Sequence, residues 1–344
     1  MKTTSISSLA ISQSMQSTVS SAMTEIVKLQ DEAVTGTYSD VGLELGTRTS
    51  TSLDYSRESS RLQSVIDSNS FAETRMEGSQ LALTNISNAG QTLLDALTAL
   101  SGNTDVNSLK VSADSAQSVL ENFVSYANTA VNGEYLFSGT ATDVQTFGDD
   151  FIDNVTDDFN TAFRAFMDAT NGVTSTAADV TADQMKTFLS DYETGFDWPT
   201  WNNASDNVMM TRISSSETVA TSTSANSEGF KNLVLASVVA SQLTNAGLGS
   251  GALSVVSQKA TQYAGTAISG VTAQQSALGL SQERIDKANT YMSNQITIID
   301  TQLTSLVGVD TEEASVRLST LLNQVETSYS ITSRILGMSL ADYI

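Results

Sequence analysis

Residues 59–100 read SSRLQSVIDSNSFAETRMEGSQLALTNISNAGQTLLDALTAL, and the spacing within them decides the fold. From Leu62 the interval alternates between four and three almost without fault. It passes through Ile66, Asn69, Ala72, Met76 and Ser79 to Leu83, Ile86, Gly90, Leu93, Leu97 and Leu100. Most of these positions are apolar, and those between them are largely Ser, Asn, Gln, Asp and Thr. A repeat near 3.5 residues lays a narrow apolar seam along one side of a helix, as in coiled coils. Unbroken from Ser59 to Leu100, that helix would be roughly 60 Å long at 1.5 Å per residue. Few compact domains need a helix of that length, and a seam so long needs another seam to cover it.

A second seam lies near the other end, at Ile285, Met292, Ile296, Ile299, Leu303 and Leu306. It stops at Gly308-Val-Asp-Thr-Glu-Glu313, where Gly308 breaks the helix and Asp310-Thr311 can cap a new start. The stripe resumes at Leu318, Leu321, Val325, Ser328, Thr332 and Ile335. The beginning of the chain mirrors this plan, with a weaker stripe through Ile6, Leu9, Met15, Val19, Met23, Ile26 and Leu29 that ends at Gly36. Each end thus carries a short amphipathic helix, a break and a long amphipathic helix. The expected fold is mainly α, a long antiparallel helical rod built from both chain ends, with a small α+β domain inserted in the middle.

That middle is residues 143–230. It holds fifteen acids against Arg164, Lys186 and Arg212, and it holds the only tryptophans and the only proline, in Trp198-Pro-Thr-Trp201. Residues 157–168 and 185–192 read as short helices. Residues 207–210 and 217–221 read as strands around Ile213-Ser-Ser-Ser216. Helical patterning returns from Asn226, and Gly247-Leu-Gly-Ser-Gly251 interrupts it.

Composition narrows the function. The chain has 344 residues with no histidine and no cysteine, and 16 basic against 38 acidic residues give a net charge of −22. A thiol nucleophile, a disulfide, a Ser-His triad and an imidazole zinc site are excluded, and a metal would have to be held by carboxylates alone. So acidic a chain is a poor partner for nucleic acid or for an anionic membrane surface, and neither is expected. No apolar run is long enough to cross a bilayer. The start MKTTSISSLAISQSMQSTVSS has no continuous apolar core, so export without a cleaved signal peptide is expected.

Three motifs point elsewhere when read in isolation. Asp149, Asp150, Asp153, Asp157 and Asp158 recur so that several would share a helical face, but their spacing does not fit a calcium loop; a solvated acidic helix start favoured by the helix dipole explains them. Gly247-x-Gly249-x-Gly251 lacks the strand, the third spacing and the βαβ context of a dinucleotide site, and reads as a helix–helix turn. Trp198 and Trp201 with a pair of carboxylates are the raw material of a glycosidase, although any two of 38 acids would serve that argument equally well. Neither a catalytic constellation nor a cofactor site emerges. Asn132-Gly133-Glu-Tyr-Leu-Phe137-Ser-Gly139 is the most informative local segment: two turn signals bracket a short aromatic strand, which predicts a hairpin.

These residues together resemble the bacterial flagellin superfamily, over roughly residues 1–142 and 255–344. Leu29-Gln-Asp-Glu-Ala-Val-Thr-Gly-Thr37 is similar to the family's helix-to-loop passage. Gly133-Glu-Tyr-Leu-Phe-Ser-Gly139 and Gly308-Val-Asp-Thr-Glu-Glu-Ala-Ser-Val-Arg-Leu318, with the ending Met338-Ser-Leu-Ala-Asp-Tyr-Ile344, are most like the members that join hook to filament. The chain departs from flagellins after the first loop, where Tyr38-Ser-Asp40-Val-Gly-Leu stands in place of an Arg and paired acids. The resemblance implies a structural subunit of the extracellular flagellum and no enzyme. It would self-associate in a ring-like layer, contact the hook-side junction protein and flagellin, and be carried to export by a chaperone bound at its C-terminal region. Polymerisation would run through Ile6, Leu9, Val19, Met23 and Ile26 at one end and Leu318, Leu321, Val325, Ile335 and Leu340 at the other. The implied divisions are a polymerisation helix and loop (1–45), the first half of the rod (46–142), the acidic insert (143–230), the second half (231–310) and a C-terminal polymerisation helix (311–344). The alternatives are a short flagellin that forms the filament itself and, more remotely, an exported hydrolase using carboxylates of the insert.

Overall fold

The computed structural model describes residues 8–100 and 105–341; the side chains of residues 8, 9, 11, 12 and 335–341 lie outside that description. Helix α1 (Ser8–Thr35) is followed by a short α2 (Val41–Leu45), and then by α3 (Thr49–Ala99) and α4 (Val106–Ala127). Next come a hairpin of β1 (Ala130–Val131) and β2 (Glu134–Tyr135), helices α5 (Phe151–Asn171) and α6 (Ala182–Gly195), and a second hairpin of β3 (Met210–Arg212) and β4 (Thr218–Ala220). The chain then closes with α7 (Glu228–Leu243), α8 (Ser250–Val307) and α9 (Thr311–Ala341). The fold is mainly α, with long helices supplied by both chain ends and a small α+β portion between them. Two compact units divide it: one holds the chain up to Ser64 and from Tyr291 on, the other holds Val65–Thr290. No described helix is long and apolar enough to cross a membrane.

The seam of α3 is the organising line of the larger unit. From Asn69 to Leu100 every position of the four-three repeat is buried, including the polar Asn69 and Ser79 and the side-chain-free Gly90. Helix α8 runs antiparallel beside it. Asn69 Nδ2 donates to Asn289 Oδ1 at 2.7 Å, Gln80 Nε2 to the Gln275 carbonyl at 2.8 Å, and Gln275 Nε2 to Thr84 Oγ1 at 3.0 Å. Polar pairs placed inside an apolar seam fix its register, because a slip would leave amides buried without partners. Helix α7 crosses α8 at backbone distance: a Cβ added to Gly270 would sit 2.6 Å from the Gly229 Cα.

One continuous core joins these helices to the acidic middle. Phe123 of α4 lies 5.4 Å from Phe147 and 5.3 Å from Phe230 between ring centroids, and Phe147 continues to Phe151 and to Trp198. Helix α5 is longer than residues 157–168 because Phe151, Val155, Phe159, Phe163 and Met167 recur every fourth residue and all bury one face. The second hairpin starts at Met210 rather than at 207. Its register pairs Thr211 with Val219, so the turn falls on the serines that the sequence reading placed there. The first hairpin turns on Asn132 and Gly133, both at positive φ (54° and 84°), the primed turn that matches strand twist. Arg75 of α3 pairs with Glu134 and donates to the Tyr135 carbonyl at 3.1 Å, which ties this hairpin to the long helix.

Candidate subunit interface

The smaller unit is built around two chain breaks that meet. Gly36 takes a left-handed φ of 69° and ends α1, as the sequence predicts. Helix α8 ends at Val307 and α9 starts at Thr311, with Asp310 Oδ1 accepting from the Glu312 and Glu313 amides at 2.9 and 3.1 Å. Between the breaks run two backbone bonds, Tyr38 N to the Val307 carbonyl and Val309 N to the Gly36 carbonyl, both 2.9 Å. Thr37 and Gly308 thereby form an antiparallel bridge. Residues 271 positions apart in sequence satisfy each other's exposed polar backbone.

Loop residues reinforce this junction. Lys28 of α1 donates to Glu44 Oε1 at 2.9 Å, a hydrogen bond that holds its ammonium pKa above the ordinary range. The buried Glu32 accepts from Ser39 N at 3.3 Å. Asp40 caps α2 by accepting from Leu43 N at 2.9 Å. The departure from flagellin at Tyr38–Asp40 therefore still makes a closed local structure, through a main-chain bond and an aspartate cap.

From this junction α1 and α9 run antiparallel, with Gly36 near Thr311 at one end and Thr332 Oγ1 3.2 Å from Met15 Sδ toward the other. Ile26 and Leu29 of α1 and Ala314 and Val325 of α9 are buried. Of the residues that the stripes single out, Val19, Leu318 and Leu321 are half-buried and Met23 is exposed. Ile6 lies outside the described residues; Leu9, Ile335 and Leu340 belong to α1 and α9, but their side chains are not described. Val27 and Val34, which lie outside both stripes, follow Met23 along one face of α1 and stand 67% and 82% exposed. Leu322 and Tyr329, one heptad apart on α9, are also open to solvent. Spacing did offer a signal for them, since both pairs recur at seven residues, but a single-seam template discards a second stripe on the same helix.

The acidic run assembles no comparable site. Asp149, Asp150, Asp153, Asp157 and Asp158 are exposed, and Asp158 accepts a hydrogen bond from the Tyr192 hydroxyl at 3.0 Å. Among the described residues no group of three or more acids is placed to hold a metal. Trp198 is buried, with Nε1 donating to the Ala225 carbonyl at 2.8 Å, so it cannot stack a ligand beside Trp201.

Two helical ends closed on each other, with apolar residues left on their outer faces, define a helical assembly subunit. Residues 6–142 match the bacterial flagellin N-terminal helical region and residues 261–344 the bacterial flagellin C-terminal helical region. The chain belongs to the bacterial flagellin family, and it is a structural flagellar protein of that family. The extracellular flagellum is accordingly its setting. A solved structure described as a flagellar hook-associated protein from Vibrio parahaemolyticus shares the fold, with a TM-score of 0.56 and 13% identity over 76% of this chain and 97% of that one. No curated protein sequence matches the chain.

Proposed function

We propose that the chain is the subunit that joins the flagellar hook to the filament, a structural part without catalysis. The observation that carries this reading is the closed pair α1–α9 with Met23, Val27 and Val34 still exposed along α1. Solvent-facing apolar stripes on a two-helix pair are costly for a free monomer and favourable once neighbours cover them. In this reading Ile26 and Val325 hold the pair together, while Val19, Met23, Leu318 and Leu321 contribute the edge that meets adjacent subunits. Ile6, Leu9, Ile335 and Leu340 extend the same stripes. The partners are copies of the chain in a ring-like layer, a hook-side junction protein and flagellin, with an export chaperone on the C-terminal region beforehand. The fold shared with a hook-associated protein over nearly that protein's whole length supports a junction role over a filament role.

Deletion of the gene tests it. Cells lacking the protein should retain hooks and release unattached flagellin into the medium, and complementation should restore attached filaments. A second reading, a short flagellin, is favoured by the family models at both ends. It would instead be supported if the purified protein extended into long filaments.

A further inference from the structure

The core of the acidic middle opens on one side into a cavity of about 450 Å3, bounded by α5, α6 and the short turn Trp198–Trp201. Its walls are aromatic. The buried Phe188 and Phe196 and the half-exposed Tyr192 and Trp201 line it. Phe196 and Trp201 stack at 5.6 Å between centroids with 17° between their planes, and Tyr192 follows 5.7 Å from Phe196. Pro199 at the start of the turn pins the backbone that carries Trp201.

Three carboxylates stand on the same lining, Asp158, Asp191 and Asp197, and no lysine or arginine does. Asp158 spends one oxygen on the Tyr192 hydroxyl. The Asp191 and Asp197 side chains have neither an ion pair nor a hydrogen bond among the described residues, and both are exposed. A ring face carries partial negative charge and attracts a cation that a carboxylate also neutralises. Neutral sugars would also stack on a tryptophan, but they give the carboxylates of Asp191 and Asp197 nothing to neutralise.

We propose that this cavity binds the side chain of an arginine presented by a basic segment of a partner protein. The planar, weakly hydrated guanidinium stacks on the open side of Trp201, which the buried Phe196 backs, while its donors meet Asp197 and Asp191. Lysine fits less well, because its ammonium is a strongly hydrated point charge without a flat face. This site stands apart from the proposed junction role, whose candidate surface lies on α1 and α9.

Calorimetric titration of the full-length protein with a blocked Gly-Arg-Gly peptide tests it, with the lysine and citrulline analogues and maltotriose as comparators. Saturable binding of the arginine peptide is expected, roughly tenfold tighter than the uncharged citrulline analogue, as the loss of one cation contact of about 1.4 kcal/mol implies. Trp201→Ala should abolish saturation, and Asp191→Asn with Asp197→Asn should weaken binding severalfold, while the helical circular dichroism stays unchanged. The aspartate pair decides the matter if Trp201→Ala fails to fold. Absence of saturable arginine binding, equal binding of citrulline, lysine or maltotriose, or unchanged affinity in the aspartate double variant would each overturn the assignment.

Discussion

The two compact units of this chain solve the burial problem in opposite ways. All eleven phenylalanines and both tryptophans fall between residues 71 and 230, within the larger unit. There Phe123, Phe137, Phe147, Phe159 and Phe230 are fully enclosed. The smaller unit has no phenylalanine, and its described core reduces to a thin line of aliphatic groups such as Ile26, Leu29, Leu62, Met292 and Val325. Meanwhile Val27, Val34, Leu322 and Tyr329 remain in solvent. Apolar area enclosed per ordered residue separates the two, because each residue fixed costs about 1–2 kcal/mol of backbone entropy whether or not it encloses anything. One unit encloses a connected aromatic core of its own. The other is suited to gaining its missing burial from neighbours.

The largest effect is expected from Val325→Asp. A carboxylate in the thin α1–α9 seam has no partner and desolvates unfavourably. Filament attachment should be lost, while the main calorimetric unfolding transition of the larger unit stays where it was. Normal filaments on this variant would remove the α1–α9 pair from assembly.

Phe123→Ala should do the reverse. It removes a ring packed against Phe147 and Phe230, and it should lower the stability of the larger unit by about 3–5 kcal/mol in denaturant titration. A loss near zero would mean that the aromatic core is not the stabilising element.

Gly270→Ala probes the α7–α8 crossing. Its new methyl would meet the Gly229 backbone, which cannot yield as a flexible side chain would. A cost of about 1–3 kcal/mol to the same transition is expected, and an unchanged transition would show that the helices can separate freely.

The smallest effect is a pH dependence inside the larger unit. Burial, a hydrogen bond with Asp286 and the charges of Asp286 and Glu77 raise the Glu73 carboxyl above its ordinary range. A carboxyl raised in the folded state binds its proton more tightly there than in the unfolded chain. Its contribution is therefore fully present below the unfolded value and declines as pH rises through the folded one. Glu73→Gln should raise the melting temperature modestly near neutral pH and leave it unchanged in acid. An equal shift at both pH values would detach Glu73 from this titration.

How far the sequence reached can be followed residue by residue. The seam from Leu62 to Leu100, the stops at Gly36 and Gly308, the cap at Asp310 and the turn at Asn132-Gly133 all rest on interactions within a few residues. Each is local enough to leave a spacing or a turn signal. Helix α4 escaped the seam argument, although it buries Ala116, Val119, Leu120 and Phe123 at helical spacing. Residues 157–168 fall short of α5 because its apolar face already begins at Phe151 and Val155, interleaved with the acidic run that opens the helix.

The candidate interface was legible in kind and not in detail. Periodicity identified both stripes, but it could not say which face of α1 turns toward α9 and which stays open. Ile26 and Val27 are adjacent in sequence and end in opposite environments. The cavity around Trp201 left no sequence signal of its own, since its carboxylates and rings come from three separate elements.

The helical class, the breaks and the family are therefore legible along the chain, because backbone conformation and apolar periodicity are properties of short range. Tertiary structure decided that Thr37 meets Gly308, that Gly229 touches Gly270, and that Trp198 is buried while Trp201 faces a cavity. Those outcomes depend on which seams cover one another. That choice follows from the fit of surfaces far apart in the chain, and no stretch of residues carries it alone.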